Sequence, residues 1–169
     1  MRVMGIPALL CGVALAAGVQ SQPQSSAVST TSEAPRIVLV CEHGSVKSLI
    51  AASYFNRRAR AKGLTVRAIA RGVAPESTVP LPVRDGLRAA GFDVSGYIPR
   101  LLEASDIKDA TLVVSFHEDI SDAVAGRTRY LKWNNVPAVL SDYAGGKDAI
   151  VKQVDRLVRE LANGRHREQ

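Results

Sequence analysis

The sequence predicts an α/β domain of three layers, with helices covering both faces of a four-stranded parallel sheet. Two observations lead to this prediction: short apolar runs recur along the chain, and segments with helical periodicity separate them. Strands that are apolar throughout are buried on both faces, which is typical of parallel sheets between helices. Ligands of such sheets bind beyond the carboxyl ends of the strands, so the residues after each apolar run are candidates for a site.

The elements can be predicted in order from the same patterns. The first strand is Ile37–Val40, which is apolar throughout. The first helix is Ser48–Lys62, because basic residues occupy its last turns, where the helix dipole favours cations, and Gly63 can end it. The other predicted elements are a strand at Thr65–Ala70, a helix with Val83, Leu87 and Ala90 on one face, a helical turn at Arg100–Ser105, a strand at Thr111–Phe116, a weak helix at Glu118–Ala125, a strand at Thr128–Trp133 and a helix at Lys147–Ala162 followed by Gly164.

The N-terminus has the layout of a secretory signal peptide, predicted for residues 1–21. A positively charged start precedes the apolar run Val3–Ala17, and small residues at its end offer a cleavage site. The run is short for a membrane span, and glycine and proline interrupt it. We therefore expect an exported protein, periplasmic or extracellular, without stable membrane insertion after cleavage. An uncleaved anchor, or a lipid anchor on Cys11, is the alternative.

The rest of the chain divides into a linker, one folded domain and a tail. Residues 22–35 are rich in Ser, Thr, Gln and Pro and lack periodicity, so they are predicted to be a flexible linker. The domain is predicted at residues 36–163, and residues 164–169 form the tail. A chain of 169 residues is long enough for one such domain with its own core.

The distribution of charge argues against a nucleic-acid-binding protein, and the cysteine content singles out one residue. The net charge is +6, but the basic residues are spread out and aromatic residues make up only 5%, so we predict no nucleic-acid partner. The chain has two cysteines, and signal cleavage would leave Cys41 alone, unable to form an intrachain disulfide. An unpaired thiol is unusual in an oxidising compartment, so the presence of Cys41 requires an explanation.

The loop CEHGSVKS joins the first predicted strand to the first helix. Backbone N–H groups at a helix N-terminus lack partners and can form a cradle for a tetrahedral oxyanion, with Gly44 supplying a positive φ angle. Lys47 adds a positive charge, and Ser48 can donate a hydrogen bond to the sulfur of Cys41. These groups favour a thiolate, which is a nucleophile. The alternative is that Cys41 is only a small buried apolar residue.

This loop resembles the phosphate-binding loop of the low-molecular-weight protein tyrosine phosphatases and of the thioredoxin-coupled arsenate reductases that share their fold. Their motif is Cys, five residues, Arg and Ser directly after the first strand, and this chain has Cys41, five residues, Lys47 and Ser48. The resemblance extends over about Arg36–Leu161. It includes the segments ARGVAPES, LRAAGFDVSGYIPR, TLVVSF and SDYAGGKDAIVKQV.

The resemblance implies a phosphomonoester hydrolase that needs no cofactor and no metal. Cys41 would attack phosphorus and form a phosphocysteine, and Asp142 would act as the general acid. Tyr143 would line the substrate mouth. A phosphorylated substrate, either a phosphotyrosine protein or a small phosphomonoester, is the implied partner. The loop residues implied to bind its phosphate oxygens are His43, Gly44, Ser45, Val46 and Ser48.

The departures from the family pattern leave other functions open. Lys47 replaces an arginine that grips two oxygens as a planar fork, and we expect transition-state stabilisation to be weaker by about 2–3 kcal/mol. His43 stands where the family usually has glycine and can contact substrate, and His117 can border the mouth. One alternative is a non-catalytic or weakly active oxyanion-binding module. The other is an arsenate reductase-like thiol enzyme, although no cysteine follows Cys41 to relay electrons.

Overall fold

Four parallel strands form one sheet in the computed structural model, which describes residues 35–126 and 128–165. The strands are β1 (Arg36–Cys41), β2 (Arg67–Gly72), β3 (Ala110–Ser115) and β4 (Arg129–Lys132). Their order across the sheet is β2-β1-β3-β4, and every pair is parallel. The predicted fold class is therefore confirmed, and the two central strands are the most apolar ones.

Five helices join and follow the strands within the described residues. They are α1 (Lys47–Ala61), α2 (Leu81–Ala89), α3 (Ala104–Lys108), α4 (Ser121–Val124) and α5 (Tyr143–Arg165). None of the helices in the described part of the chain is both long and apolar enough to cross a membrane. The predicted signal peptide falls outside the described residues, as do residues 22–34 of the predicted linker and residues 166–169 of the predicted tail.

The two faces of β1 bury separate sets of side chains, as expected for a strand with helices on both sides. Ile37 and Leu39 belong to a core cluster with residues of α1 and α5, whereas Val38 and Val40 belong to a second cluster with Ile107 of α3. Side chains alternate between the faces of a strand, so a run of apolar residues has to supply both layers. Cys41 follows the alternation and lies on the side of α1.

Among the differences from the predicted boundaries, two concern where a helix begins. The turn predicted at Arg100–Ser105 begins later, since Glu103 and Asp106 form a capping box at the start of α3. Leu101 instead forms a parallel bridge with Gly72. The last helix begins at Tyr143 rather than at Lys147 and continues past Gly164.

Asn56 of α1 covers the outer edge of the sheet. Its side-chain oxygen accepts from the Ala68 N–H at 2.8 Å, and its side-chain nitrogen donates to the Ala68 carbonyl at 2.9 Å. β2 is an edge strand, so these two backbone groups face away from β1, and the amide side chain takes the place of a neighbouring strand.

We expect Asn56→Ala to lower the free energy of unfolding by about 2 kcal/mol, because it leaves two backbone groups of β2 without partners. Urea denaturation followed by circular dichroism measures this loss. Arg60→Ala, at an exposed position of the same helix, is the matched control and should change stability by less than about 0.5 kcal/mol. Equal stability of the two variants would contradict the assigned role of Asn56.

Candidate active site

Cys41 is the last residue of β1 and lies at the base of the loop that leads to α1. Its side chain is buried, and its sulfur is 3.1 Å from the hydroxyl oxygen of Ser48, which is also buried. A hydroxyl that donates to sulfur stabilises the thiolate form of the cysteine. The strand end, the loop and the first turn of α1 therefore bring Cys41 and Ser48 together as predicted.

The loop backbone passes unusually close to the end of β2. Gly44 has a φ of 68°, and a Cβ atom added to it would lie 2.8 Å from the Gly72 nitrogen. A Cβ atom on Gly72 would lie 2.7 Å from the Gly44 nitrogen. Both distances are too short for real side chains, so glycine is required on each side of this contact.

The segment after β2 holds the carbonyl groups of the loop. Val73 N–H donates to the Cys41 carbonyl at 3.2 Å, and Ala74 N–H donates to the Glu42 carbonyl at 2.8 Å. Among the described residues, no backbone carbonyl accepts from the amides of residues 43–47. Because these amides precede and begin α1, they have the arrangement that binds oxyanions at helix N-termini.

Two side chains that the sequence analysis did not select brace the loop. Glu76 accepts a 2.7 Å hydrogen bond from the buried hydroxyl of Ser45, and the Tyr97 hydroxyl donates to the Gly44 carbonyl at 2.7 Å. Burial, and then the charge of Cys41, raises the pKa of Tyr97 to about 12, so its hydroxyl keeps the proton that it donates. Both residues lie in segments that carried the family resemblance, but only the fold places them against the loop.

A cavity of about 280 Å³ opens above Cys41. Lys47 borders it, and its ammonium is 3.4 Å from the Val136 carbonyl oxygen. Burial lowers the pKa of Lys47, while the charges of Cys41 and Glu118 raise it by smaller amounts. The remaining lining residues are Glu42, His43, Val46, Phe116, His117, Ala138, Val139 and Leu140.

The two histidines of the cavity are held differently. His43 Nε2 lies 3.6 Å from a Glu42 carboxylate oxygen and 4.0 Å from one of Glu76, in a partly exposed position. His117 Nε2 is 3.0 Å from the Val136 carbonyl oxygen, and its φ is 67°. A left-handed backbone costs a non-glycine residue roughly 1–2 kcal/mol.

The structure does not bring Asp142 and Tyr143 to this cavity. Asp142 caps α5, because its carboxylate accepts from the Gly145 N–H at 2.9 Å. The ring of Tyr143 lies against Gly86 of α2, where a Cβ atom would overlap it, and burial raises the pKa of Tyr143. Its hydroxyl is buried and has no hydrogen-bond partner among the described residues. Neither Asp142 nor Tyr143 is among the residues that line the cavity above Cys41.

Sequence and structure comparisons agree on the type of protein that this domain resembles. A family profile described as low molecular weight phosphotyrosine protein phosphatase matches residues 36–155. A search of curated protein sequences finds no match. Among the described residues, no three His, Cys, Asp or Glu side chains converge as a metal site would require.

Solved structures give the same fold. The low molecular weight protein tyrosine phosphatase from T. tengcongensis has a TM-score of 0.65 at 19% identity, over 75% of this chain and 99% of that chain. The YwlE arginine phosphatase from Geobacillus stearothermophilus has a TM-score of 0.66 at 18% identity, over 80% and 97%. A thioredoxin-dependent arsenate reductase from Corynebacterium glutamicum has a TM-score of 0.60 at 20% identity, over 82% and 65%. At these identities the likeness shows the fold alone.

We expect Gly72→Ala to destabilise the domain by about 1–3 kcal/mol, because its methyl group would enter the backbone contact with Gly44. Thermal unfolding followed by calorimetry measures the loss. Gly96→Ala is the matched control, since a Cβ atom at Gly96 meets nothing within 4 Å. If Gly72→Ala were as stable as Gly96→Ala, the close approach of the two backbones would be contradicted.

Proposed function

The chain belongs to the low molecular weight phosphotyrosine protein phosphatase family, and on that premise we propose that it hydrolyses a phosphomonoester with Cys41 as the nucleophile. The observation that carries the proposal is the buried cysteine at a strand end, with a hydroxyl 3.1 Å from its sulfur and unpaired loop amides beside it. These are the parts that a phosphocysteine mechanism needs: a nucleophile and preorganised donors for the phosphoryl oxygens.

In the first step the thiolate of Cys41 attacks phosphorus, and the bond to the leaving oxygen breaks. The amides of residues 43–48 donate to the phosphoryl oxygens, and the positive φ of Gly44 shapes this cradle. The hydroxyl of Ser48 stabilises the thiolate before the attack. It stabilises the thiolate again in the second step, when water displaces the sulfur from phosphorus. The identity of the group that protonates the leaving oxygen is a separate question, because Asp142, predicted for that role, caps α5 outside the cavity.

Lys47 supplies the charge that the family's arginine would supply. As a point charge it cannot bind two oxygens in one plane, and its contact with the Val136 carbonyl holds it at one side of the cavity. This placement also supports a second candidate function, an oxyanion-binding module with little turnover. In that case phosphate or vanadate would protect Cys41 from alkylation, while p-nitrophenyl phosphate would not be hydrolysed.

The identity of the physiological substrate is a separate proposal. The family description names phosphotyrosine, and one structural neighbour is titled an arginine phosphatase, so both phosphorylated residues deserve testing on this chain. Arsenate reduction, named in another neighbour's title, would need an external thiol here, because the sequence has no cysteine after Cys41. From the predicted signal peptide we propose that the substrate lies outside the cytoplasm.

We expect Cys41→Ser to abolish hydrolysis of p-nitrophenyl phosphate by the purified protein, since serine is a far poorer nucleophile in this role. Ser48→Ala should lower kcat by about tenfold, the equivalent of one hydrogen bond to a charged group. Ser53→Ala is the matched control, because its hydroxyl donates to the Leu49 carbonyl within the same helix. Full activity of Cys41→Ser would refute the nucleophile.

The lowered pKa of Lys47 predicts an alkaline limb in the activity profile. As pH rises through that pKa, which lies below the usual 10.5, the ammonium loses its charge and phosphate binding weakens. Arginine stays charged, so Lys47→Arg should keep kcat/KM for p-nitrophenyl phosphate at pH values where the wild type loses it. Lys152→Arg, at an exposed position of α5, is the control and should leave the limb in place. Identical limbs in the wild type and Lys47→Arg would exclude Lys47 as the titrating group.

A further inference from the structure

We propose that His117 is the proton-transfer residue of this site. It protonates the leaving oxygen while Cys41 displaces it, and it then takes a proton from the water that releases phosphate. This proposal rests on the function proposed above. It assigns the acid–base role to a residue at the end of β3 instead of to Asp142.

The sheet places His117 beside the nucleophile. The Phe116 N–H donates to the Val40 carbonyl at 2.8 Å, so His117 follows β3 where Cys41 follows Val40 on the adjacent strand. Both residues line the same cavity, and His117 is exposed whereas Cys41 is buried. A group that delivers a proton to a leaving oxygen has to lie on the open side of the phosphorus, opposite the attacking sulfur.

The backbone of His117 is the second observation. Among the described residues, it is the single non-glycine residue with a positive φ. The His117 side chain is exposed and belongs to neither core cluster. Unfavourable backbone conformations that persist without a packing gain concentrate at functional sites. Here the conformation turns the chain at the border of the cavity.

The hydrogen bond of His117 fixes which ring nitrogen carries the hydrogen when the ring is neutral. A carbonyl oxygen can only accept, so Nε2 carries the hydrogen in its 3.0 Å bond to Val136. This bond is compatible with both the neutral ring and the imidazolium, and it leaves Nδ1 as the nitrogen that can gain or lose a proton. Lys47 donates to the same carbonyl, so a single backbone oxygen orients the proton donor and the cation together.

Two other candidates for this role make different contacts. The Asp142 carboxylate accepts from Gly145 and is not among the residues that line the cavity. His43 Nε2 lies near the carboxylates of Glu42 and Glu76, toward the segment that braces the loop. The charged or titratable groups around the cavity that accompany His117 are Cys41, Glu42, His43, Lys47 and Glu118.

The two steps balance in atoms and charge. In the first step the S–P bond forms, the P–O bond breaks, and its electron pair takes a proton from the His117 imidazolium. In the second step the neutral imidazole takes a proton from water as the water oxygen bonds to phosphorus. The S–P bond then breaks with its electrons on sulfur, and phosphate leaves with the thiolate and the imidazolium restored.

His117→Asn tests the proposal, because asparagine tolerates a positive φ and can still donate a hydrogen bond but cannot transfer a proton in this way. The kcat for phenyl phosphate, whose leaving oxygen needs the proton, should fall by about 100-fold or more. The kcat for 2,4-dinitrophenyl phosphate, whose leaving group needs none, should fall by less than about 5-fold. Added imidazole should restore part of the phenyl phosphate turnover of His117→Gly, which fits the same backbone without a side chain.

Asp142→Asn and His43→Asn, measured on both substrates, complete the experiment. If either shows the leaving-group-dependent loss and His117→Asn does not, the proposal is overturned and that residue is the acid. Equal losses of His117→Asn on the two substrates would also overturn it. If the wild type turns over neither substrate, the proposed hydrolase itself fails. If the wild type turns over a substrate and Cys41→Ser does not, the proposed hydrolase stands. A failed His117 prediction then counts against the His117 assignment alone.

Discussion

The contact between the backbones of Gly44 and Gly72 is the constraint on which the rest of the site depends. It brings the loop after β1 against the end of β2, and the N–H groups that follow β2 then bind the loop carbonyls. Since these carbonyls face the segment after β2, the loop amides remain available for an anion. The hydroxyl of Tyr97 donates to the Gly44 carbonyl and so braces the loop at the same glycine.

One backbone carbonyl positions two side chains of the cavity. The Val136 carbonyl lies between the Lys47 ammonium and the His117 ring, and it accepts from both. Lysine at the arginine position of the motif cannot bind two phosphate oxygens as a planar fork. In the proposed mechanism Lys47 stabilises charge and His117 moves the proton, which is a division of labour that a single arginine could not perform.

Much of the site could be predicted from local sequence because it is built from consecutive residues. The spacing from Cys41 to Ser48 fits a strand, a loop and the first turn of a helix, and the bond between their side chains follows from that geometry. The same reasoning did not predict where the side chains of Asp142 and Tyr143 lie. The sequence motif gave their register, but capping of α5 and packing against Gly86 set the directions of their side chains.

The sequence by itself determined the α/β class, the order of the elements and the position of the proposed nucleophile, because apolar periodicity and turn residues act over a few neighbours. Only the tertiary structure decided which distant residues meet around the cavity and its loop: Glu76 on Ser45, Tyr97 on Gly44 and Val136 on His117. These contacts join residues separated by 19 to 53 positions. Their partners are selected by the packing of the sheet and its loops, which no local pattern encodes.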